Sequence, residues 1–122
     1  MLCKDIIKII EQDYSPRYAL PWDNVGLLAG RDNKEVAKIY VALDATDEVV
    51  DEAIVAGADM LVTHHPLIFS GMKQVNDQNF IGRRLVNLIQ HDISYYAMHT
   101  NYDVKGMADL AADYLKLEER EV

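Results

Sequence analysis

Two of the four histidines stand side by side in "LVTHHPLIF", residues 61–69, between an apolar run and a proline. A third, His99, opens "HTNYD", residues 99–103, which also supplies the carboxylate of Asp103. Imidazole together with carboxylate suits zinc, iron or manganese better than magnesium or calcium. Successive side chains of an extended segment point to opposite sides. As neighbours, His64 and His65 would then serve one ion poorly, but each could serve one of two ions ~3.5–4 Å apart, the separation usual in two-metal hydrolytic sites. Pro66 biases His65 toward extended backbone, and Asp103 could chelate one ion or bridge two. Plainer readings compete: a His-His pair can be an accident of a surface loop, His99 a satisfied core histidine, Asp103 a cap for a following helix, and Asn101 a turn residue. Which reading holds depends on whether these residues meet, and so on the elements that carry them.

The chain alternates helical and strand patterns. "DIIKIIEQ" puts Ile6, Ile9 and Ile10 on one face of an opening helix, and Pro16 and Pro21 break the pattern into a loop. "VGLLAG" reads as a short strand. "KIYVALDA" is a strand so apolar that both faces should be covered, as in a parallel sheet. Thr46 can cap the next helix, with Asp47 and Glu48 in its positive first turn. That helix buries Val49, Val50, Ala53 and Ile54 and ends at Gly57. With the strand "DMLVT" it makes residues 38–63 a βαβ unit. A second unit carries Ile81, Leu85, Leu88 and Ile89 at helical spacing and the strand "ISYYAM". A last helix, "MADLAADYLKL", presents Met107, Leu110, Ala111, Tyr114 and Leu115 to the core. The fold class is therefore α/β: a mixed, largely parallel sheet with flanking helices, one domain over residues 1–122. In such sheets ligands gather outside the carboxyl ends of the strands. "THH" and "HTNYD" both leave carboxyl ends, of strands joined by a single crossover and so expected to be neighbours. His64, His65, His99 and Asp103 should share one rim, with His91 at the opposite end.

Composition limits the partners. Twelve basic residues against 20 acidic ones give a net charge of −8, with no basic stripe to hold a phosphate backbone, so direct nucleic-acid binding is not expected. No apolar run approaches the ~20 residues of a membrane span. The N-terminal "MLCKDIIKIIEQDY" has neither the apolar core nor the cleavage site of a signal peptide. Cys3 is the only cysteine, which excludes an internal disulfide and fits a reducing cytoplasm. "GLLAG" lacks the Gly-Lys-Ser/Thr of a phosphate loop, and no serine sits in a recognisable nucleophile motif.

"PWDNVGLLAG", "VALDAT", "GADMLVTHHPLIF" and "HTNYDV", in that order, resemble the Ngg-interacting-factor-three-like family of dinuclear-metal proteins, whose bacterial members are often called GTP cyclohydrolase I type 2. The resemblance runs from residue 1 to about residue 115. It implies that His64, His65 and Asp103 are metal ligands and that Trp22-Asp23-Asn24 shapes the mouth of the site; His99 is the candidate catalytic residue, in a supporting or proton-transfer role. "KGMAD" replaces the family's glycine-rich stretch, and Tyr102 stands where leucine is usual. Family members are expected to be about twice this length, two-lobed, with a further His-x-x-x-Glu ligand pair in the second half; none follows Asp103 here. The chain thus resembles the N-terminal half, with three of five ligands for two divalent ions.

The activity implied is hydrolytic opening of the purine ring of GTP by a metal-bound hydroxide. Two alternatives stay open: a two-metal phosphoesterase acting on a small nucleotide, and a non-catalytic metal-binding or regulatory interaction module. The family further implies homo-oligomers, commonly hexamers. Trp22, Leu67, Ile68 and Phe69 are the apolar residues expected to be exposed near the rim and to drive association.

Overall fold

A computed structural model gives the fold and describes residues 1–107 and Leu110. Helix α1 spans Cys3–Asp13, and a 3-10 turn, Pro16–Tyr18, is capped by the Ser15 side chain. There follow β1 (Gly26–Ala29), β2 (Ile39–Ala42), α2 (Asp47–Val55), β3 (Met60–Thr63), α3 (Phe80–Gln90), β4 (Ser94–Ala97), a helical turn α4 (Thr100–Tyr102) and a π turn (Asp103–Met107). The four strands form one sheet in the order β1-β4-β3-β2. β2, β3 and β4 are parallel, with Met60 beside both Ile39 and Ser94; β1 runs antiparallel on the far edge. This is the mixed, largely parallel α/β sheet that two βαβ units require.

The pleat divides the core. Leu61, Tyr95 and Ala97 face α2 and α3, where they meet Val50, Ala53, Leu85 and Leu88. Met60, Val62 and Tyr96 face α1 and its Cys3. α2 begins as the sequence indicates: the Thr46 hydroxyl accepts from the Val49 amide, and Gly57 takes the positive φ that ends it. α3 is capped by Asn79, whose carbonyl side chain accepts from Gly82. A Cβ at Gly82 would lie 2.0 Å from the Asn76 carbonyl, so only glycine lets the crossover lie against this helix.

The burial differs from the sequence reading in several places. β2 is not covered on both faces: it is the edge strand, and Ile39, Val41 and Leu43 are exposed on the α1 side. Among the described residues, α1 is the helix on that face, and it packs over the β1-β4-β3 part of the sheet. On α1 the inner face is Cys3, Ile6, Ile7 and Ile10, while Ile9 points outward. On α3, Ile89 is exposed. Leu67 is buried in the main core, leaving Trp22 and Phe69 as the exposed apolar residues of the expected rim group. The segment after β4 is helical from Thr100, not a loop. The expected last helix lies outside the described residues except at its start; Leu110, assigned to the core, is exposed.

β2 and β3 are tied at their start by Asp59, whose carboxylate accepts from the amides of Ala37 and Lys38 at 2.9 and 3.0 Å. These two amides hold the carboxyl below its ordinary value of 3.8. A group whose folded pKa is depressed stabilises at neutral pH and loses that effect as pH falls through the folded value. Asp59→Ala is expected to cost about 1 kcal/mol at pH 7, discounted for exposure. The cost should shrink below pH 4, as denaturant unfolding at the two pH values would show.

Candidate metal centre

At the carboxyl end of β3 the chain bends sharply at His64 and His65. The bend is held from beneath by Tyr95, fully buried on the neighbouring strand. Its hydroxyl lies 2.7 Å from the Thr63 hydroxyl, accepts from the Leu67 amide at 3.0 Å and reaches the His65 carbonyl at 3.2 Å. The Thr63 hydroxyl also donates to the His65 carbonyl. Because of this clamp the adjacent histidines do not diverge as extended backbone would make them. Their rings lie 5.0 Å apart, tilted by 45°. Burial pushes the Tyr95 phenol above its ordinary value of 10.0, against lowering by its Thr63 and Leu67 hydrogen bonds, so it remains protonated at neutral pH. Tyr95→Phe would leave the buried Leu67 amide without its acceptor. It is expected to cost about 1–3 kcal/mol in denaturant unfolding and to loosen the His64–His65 bend.

Three imidazoles meet above this bend, with ring centroids of His64, His65 and His99 4.9–5.5 Å apart. One potential ligand atom from each lies within 4.8 Å of those from the other two. In every case Nδ1 is already engaged. His64 Nδ1 is 2.9 Å from the Met98 carbonyl, which can only accept, so this nitrogen carries the proton. His65 Nδ1 is 2.6 Å from Asp44 Oδ1, and His99 Nδ1 is 3.1 and 3.2 Å from the two Asp23 oxygens. With Nδ1–H donated, the free lone pair of each ring is on Nε2. A backbone carbonyl or carboxylate on the distal nitrogen is the usual support of a metal-ligating histidine.

Asp103 sits on the π turn, its Oδ1 3.2 Å from His64 Nε2. A neutral His64 donating through Nδ1 presents a lone pair to that carboxylate. Two acceptors this close need a proton or a cation between them. The donor set therefore fits a divalent ion: three supported imidazole nitrogens and a carboxylate beside them, the N/O chemistry of zinc, iron or manganese.

Asp23 anchors His99 from below. Its side chain is inaccessible to solvent, and it also accepts from the Thr100 amide and hydroxyl and from the Asn24 amide. Burial alone would raise this carboxyl; the hydrogen bonds from Thr100, His99 and Asn24 outweigh it and hold the group below its ordinary value of 3.8. Trp22 is exposed, its ring edge-on to His99 at 6.0 Å, and the Asn24 side chain donates to the Ile68 carbonyl.

The structure thus brings His64, His65, His99 and Asp103 to one rim. His91 caps α3 ahead of β4, its Nδ1 on the Asn87 carbonyl, and takes no part. His99, expected in a supporting role, stands level with the histidine pair. Asp44 was missed by sequence reasoning. It leaves the carboxyl end of β2, the third parallel strand, and applying the strand-end rule there would have found it.

The profile of the Duf34/NIF3 (NGG1p interacting factor 3) family matches residues 1–122. The chain is 43% identical over 107 residues to a Clostridium perfringens protein and 41% identical over 122 residues to one from Bacillus subtilis, each named GTP cyclohydrolase 1 type 2 homolog. These matches cover 87% and 98% of this chain but 41% and 32% of the relatives. A Bacillus cereus protein related to NIF3 superposes with a TM-score of 0.92 at 41% identity, over 100% of this chain and 34% of its own. The chain thus spans 41%, 32% and 34% of these three relatives' length.

Proposed function

The chain belongs to the Duf34/NIF3 family, and we propose that it is the metal-binding lobe of a metal-dependent hydrolase, with His64, His65 and His99 holding one divalent ion and Asp103 beside it. The observation that carries this reading is the shared state of the three rings: each Nδ1 is committed to a backbone or carboxylate acceptor, which leaves three Nε2 lone pairs available together. His64, His65 and His99 would hold the ion, which when bound would lower the pKa of a water molecule to about 7 and supply a nucleophile at neutral pH.

The chain's own residues do the rest. Asp44 and Asp23 fix the rotation of His65 and His99, and the Met98 carbonyl fixes His64. Asp103, half-exposed at 41%, is the carboxylate placed to take a proton from water entering beside His64, or to meet a second ion. Ligands for that second ion would come from chain beyond these residues or from another copy, in a homo-oligomer of the cytoplasm. The relatives' name suggests hydrolytic opening of a purine ring as the reaction.

Elemental analysis after dialysis against zinc tests the metal reading. One zinc per chain is expected, and none in His64→Ala; two tightly held ions would mean that the ligand set is larger than this lobe supplies. GTP consumption by the metal-loaded protein, absent in His64→Ala, tests the hydrolase reading. Zinc retained without any turnover would favour a metal-binding module.

A further inference from the structure

Asn101 lies in the sequence between two residues of the metal rim, His99 and Asp103, and it is fully buried. Its side-chain amide has two partners. Oδ1 accepts from the His99 backbone amide at 3.0 Å, and Nδ2 donates to the Tyr14 carbonyl at 2.8 Å. Both partners sit at helix ends, where backbone groups lack a partner within the helix. His99 immediately precedes α4, and Tyr14 immediately follows α1. The Asn101 amide can sit only one way round, because a backbone N–H donates and a carbonyl accepts. An aspartate here would have no proton for Tyr14 and a hydrocarbon side chain would serve neither partner.

The turn held in this way carries two groups of the rim. The Asp103 amide donates to the His99 carbonyl at 3.0 Å, so the two residues stand one helical turn apart. Both side chains lie against His64: the His99 ring is 4.9 Å from its ring, and Asp103 Oδ1 is 3.2 Å from its Nε2. The end of α1 grips the same turn at a second point. The Tyr14 ring meets that of Tyr102 edge-on at 5.0 Å. Gly106 lies so near both that a Cβ there would come within 2.8 Å of Tyr14 and 3.1 Å of Tyr102. α1 is itself fixed to the sheet, by Cys3 in the core and by the Tyr96 hydroxyl on the Glu11 carboxylate at 3.0 Å. Asp23 holds the His99 ring and Thr100; the His99 backbone amide and the link to α1 fall to Asn101.

We propose that Asn101 is a positioning residue of the metal centre: it locks the turn bearing His99 and Asp103 to the carboxyl end of α1, and so presents both side chains to the ion together. The proposal rests on the metal reading for what the turn presents; how the turn is held depends on hydrogen bonds of the protein alone. Loss of the amide has a local consequence apart from stability. It frees the backbone from which the His99 ring springs, lets His99 Nδ1 leave Asp23, and spreads the imidazole proton over both ring nitrogens. His64 and His65 keep their own acceptors, the Met98 carbonyl and Asp44.

Imidazole 15N–1H spectra of the metal-free chain at about pH 8, where histidines are neutral, and zinc competition titrations test this together. In the intact protein His99 is expected as a single Nδ1–H tautomer. In Asn101→Ala its two nitrogens should average while the His64 and His65 signals stay in place. Zinc affinity should fall about tenfold, the lower end of what support of a ligating histidine is worth. Asn101→Ser, a milder change that keeps a polar group, should move both readouts the same way, and it carries the comparison if Asn101→Ala does not fold. Leu88→Ala, a truncation in the core on α3, is the stability control and should keep both the His99 signal and the zinc affinity. An unaltered His99 signal in the folded Asn101 variants would overturn the proposal. So would unaltered affinity where the parent chain binds zinc, or equal losses in Leu88→Ala. A His99 signal that depends on Asn101 in a parent chain that retains no zinc would sink the metal reading alone.

Discussion

Zinc affinity is expected to fall by more than a hundredfold in His64→Ala. Outer-shell partners of a metal-ligating histidine are typically worth 10–100-fold in affinity, and a direct ligand exceeds its own support. His64 is also the central ring: it contacts both other imidazoles and lies 3.2 Å from Asp103. Its loss leaves two imidazoles 5.5 Å apart and removes the imidazole nitrogen beside Asp103. The fold should survive, because His64 belongs to neither core cluster. His91→Ala is the control, since that ring caps α3 ahead of β4. Competition titration against a chromophoric chelator gives both affinities; equal weakening in the two variants would remove His64 from the site.

Asp23→Ala is expected to damage stability and metal binding together. The carboxylate accepts from four donors, on Asn24, His99 and the amide and hydroxyl of Thr100. The Thr100 hydroxyl in turn accepts from the Leu20 amide, so one buried group ties residues 20–24 to the start of α4. Removing it strands buried donors at about 1–3 kcal/mol each before relaxation. A net loss of about 3 kcal/mol, on the order of 10 °C in Tm, is the expected result. Because the carboxyl is held below its ordinary value, this stabilisation is complete at neutral pH and fades only as pH falls through the lowered value. His99 would lose the acceptor that fixes its ring, and zinc affinity should drop a further 10–100-fold. Asp23→Asn, which keeps the acceptor oxygen for Thr100 but not the charge facing His99, should recover more of the stability than of the affinity. Equal recovery of both would contradict a positioning role.

Much of this was legible from residue types. The βαβ periodicities and the caps at Thr46 and Gly57 are local signals, and they gave the sheet its parallel core. The rim followed from placing "THH" and "HTNYD" at the ends of adjacent strands. What stayed hidden was non-local. Asp23 meets Thr100 across 77 residues of sequence, and nothing in "PWDN" marks that carboxylate as buried beneath a histidine. The bend at His64–His65 is held by a Tyr95 hydroxyl from another strand, a contact that the local alternation of side chains does not reveal. β2 was misread because apolar content does not distinguish a strand under its own helix from an edge strand. Ile39, Val41 and Leu43 lie on a face that α1 does not reach.

The most direct test of the account is zinc K-edge X-ray absorption on the zinc-loaded chain. Three imidazole nitrogens at about 2.0–2.1 Å with one further light ligand are predicted, falling to two imidazoles in His99→Ala. A shell of oxygens with one imidazole or none, or a shell unchanged by removing His99, would contradict it.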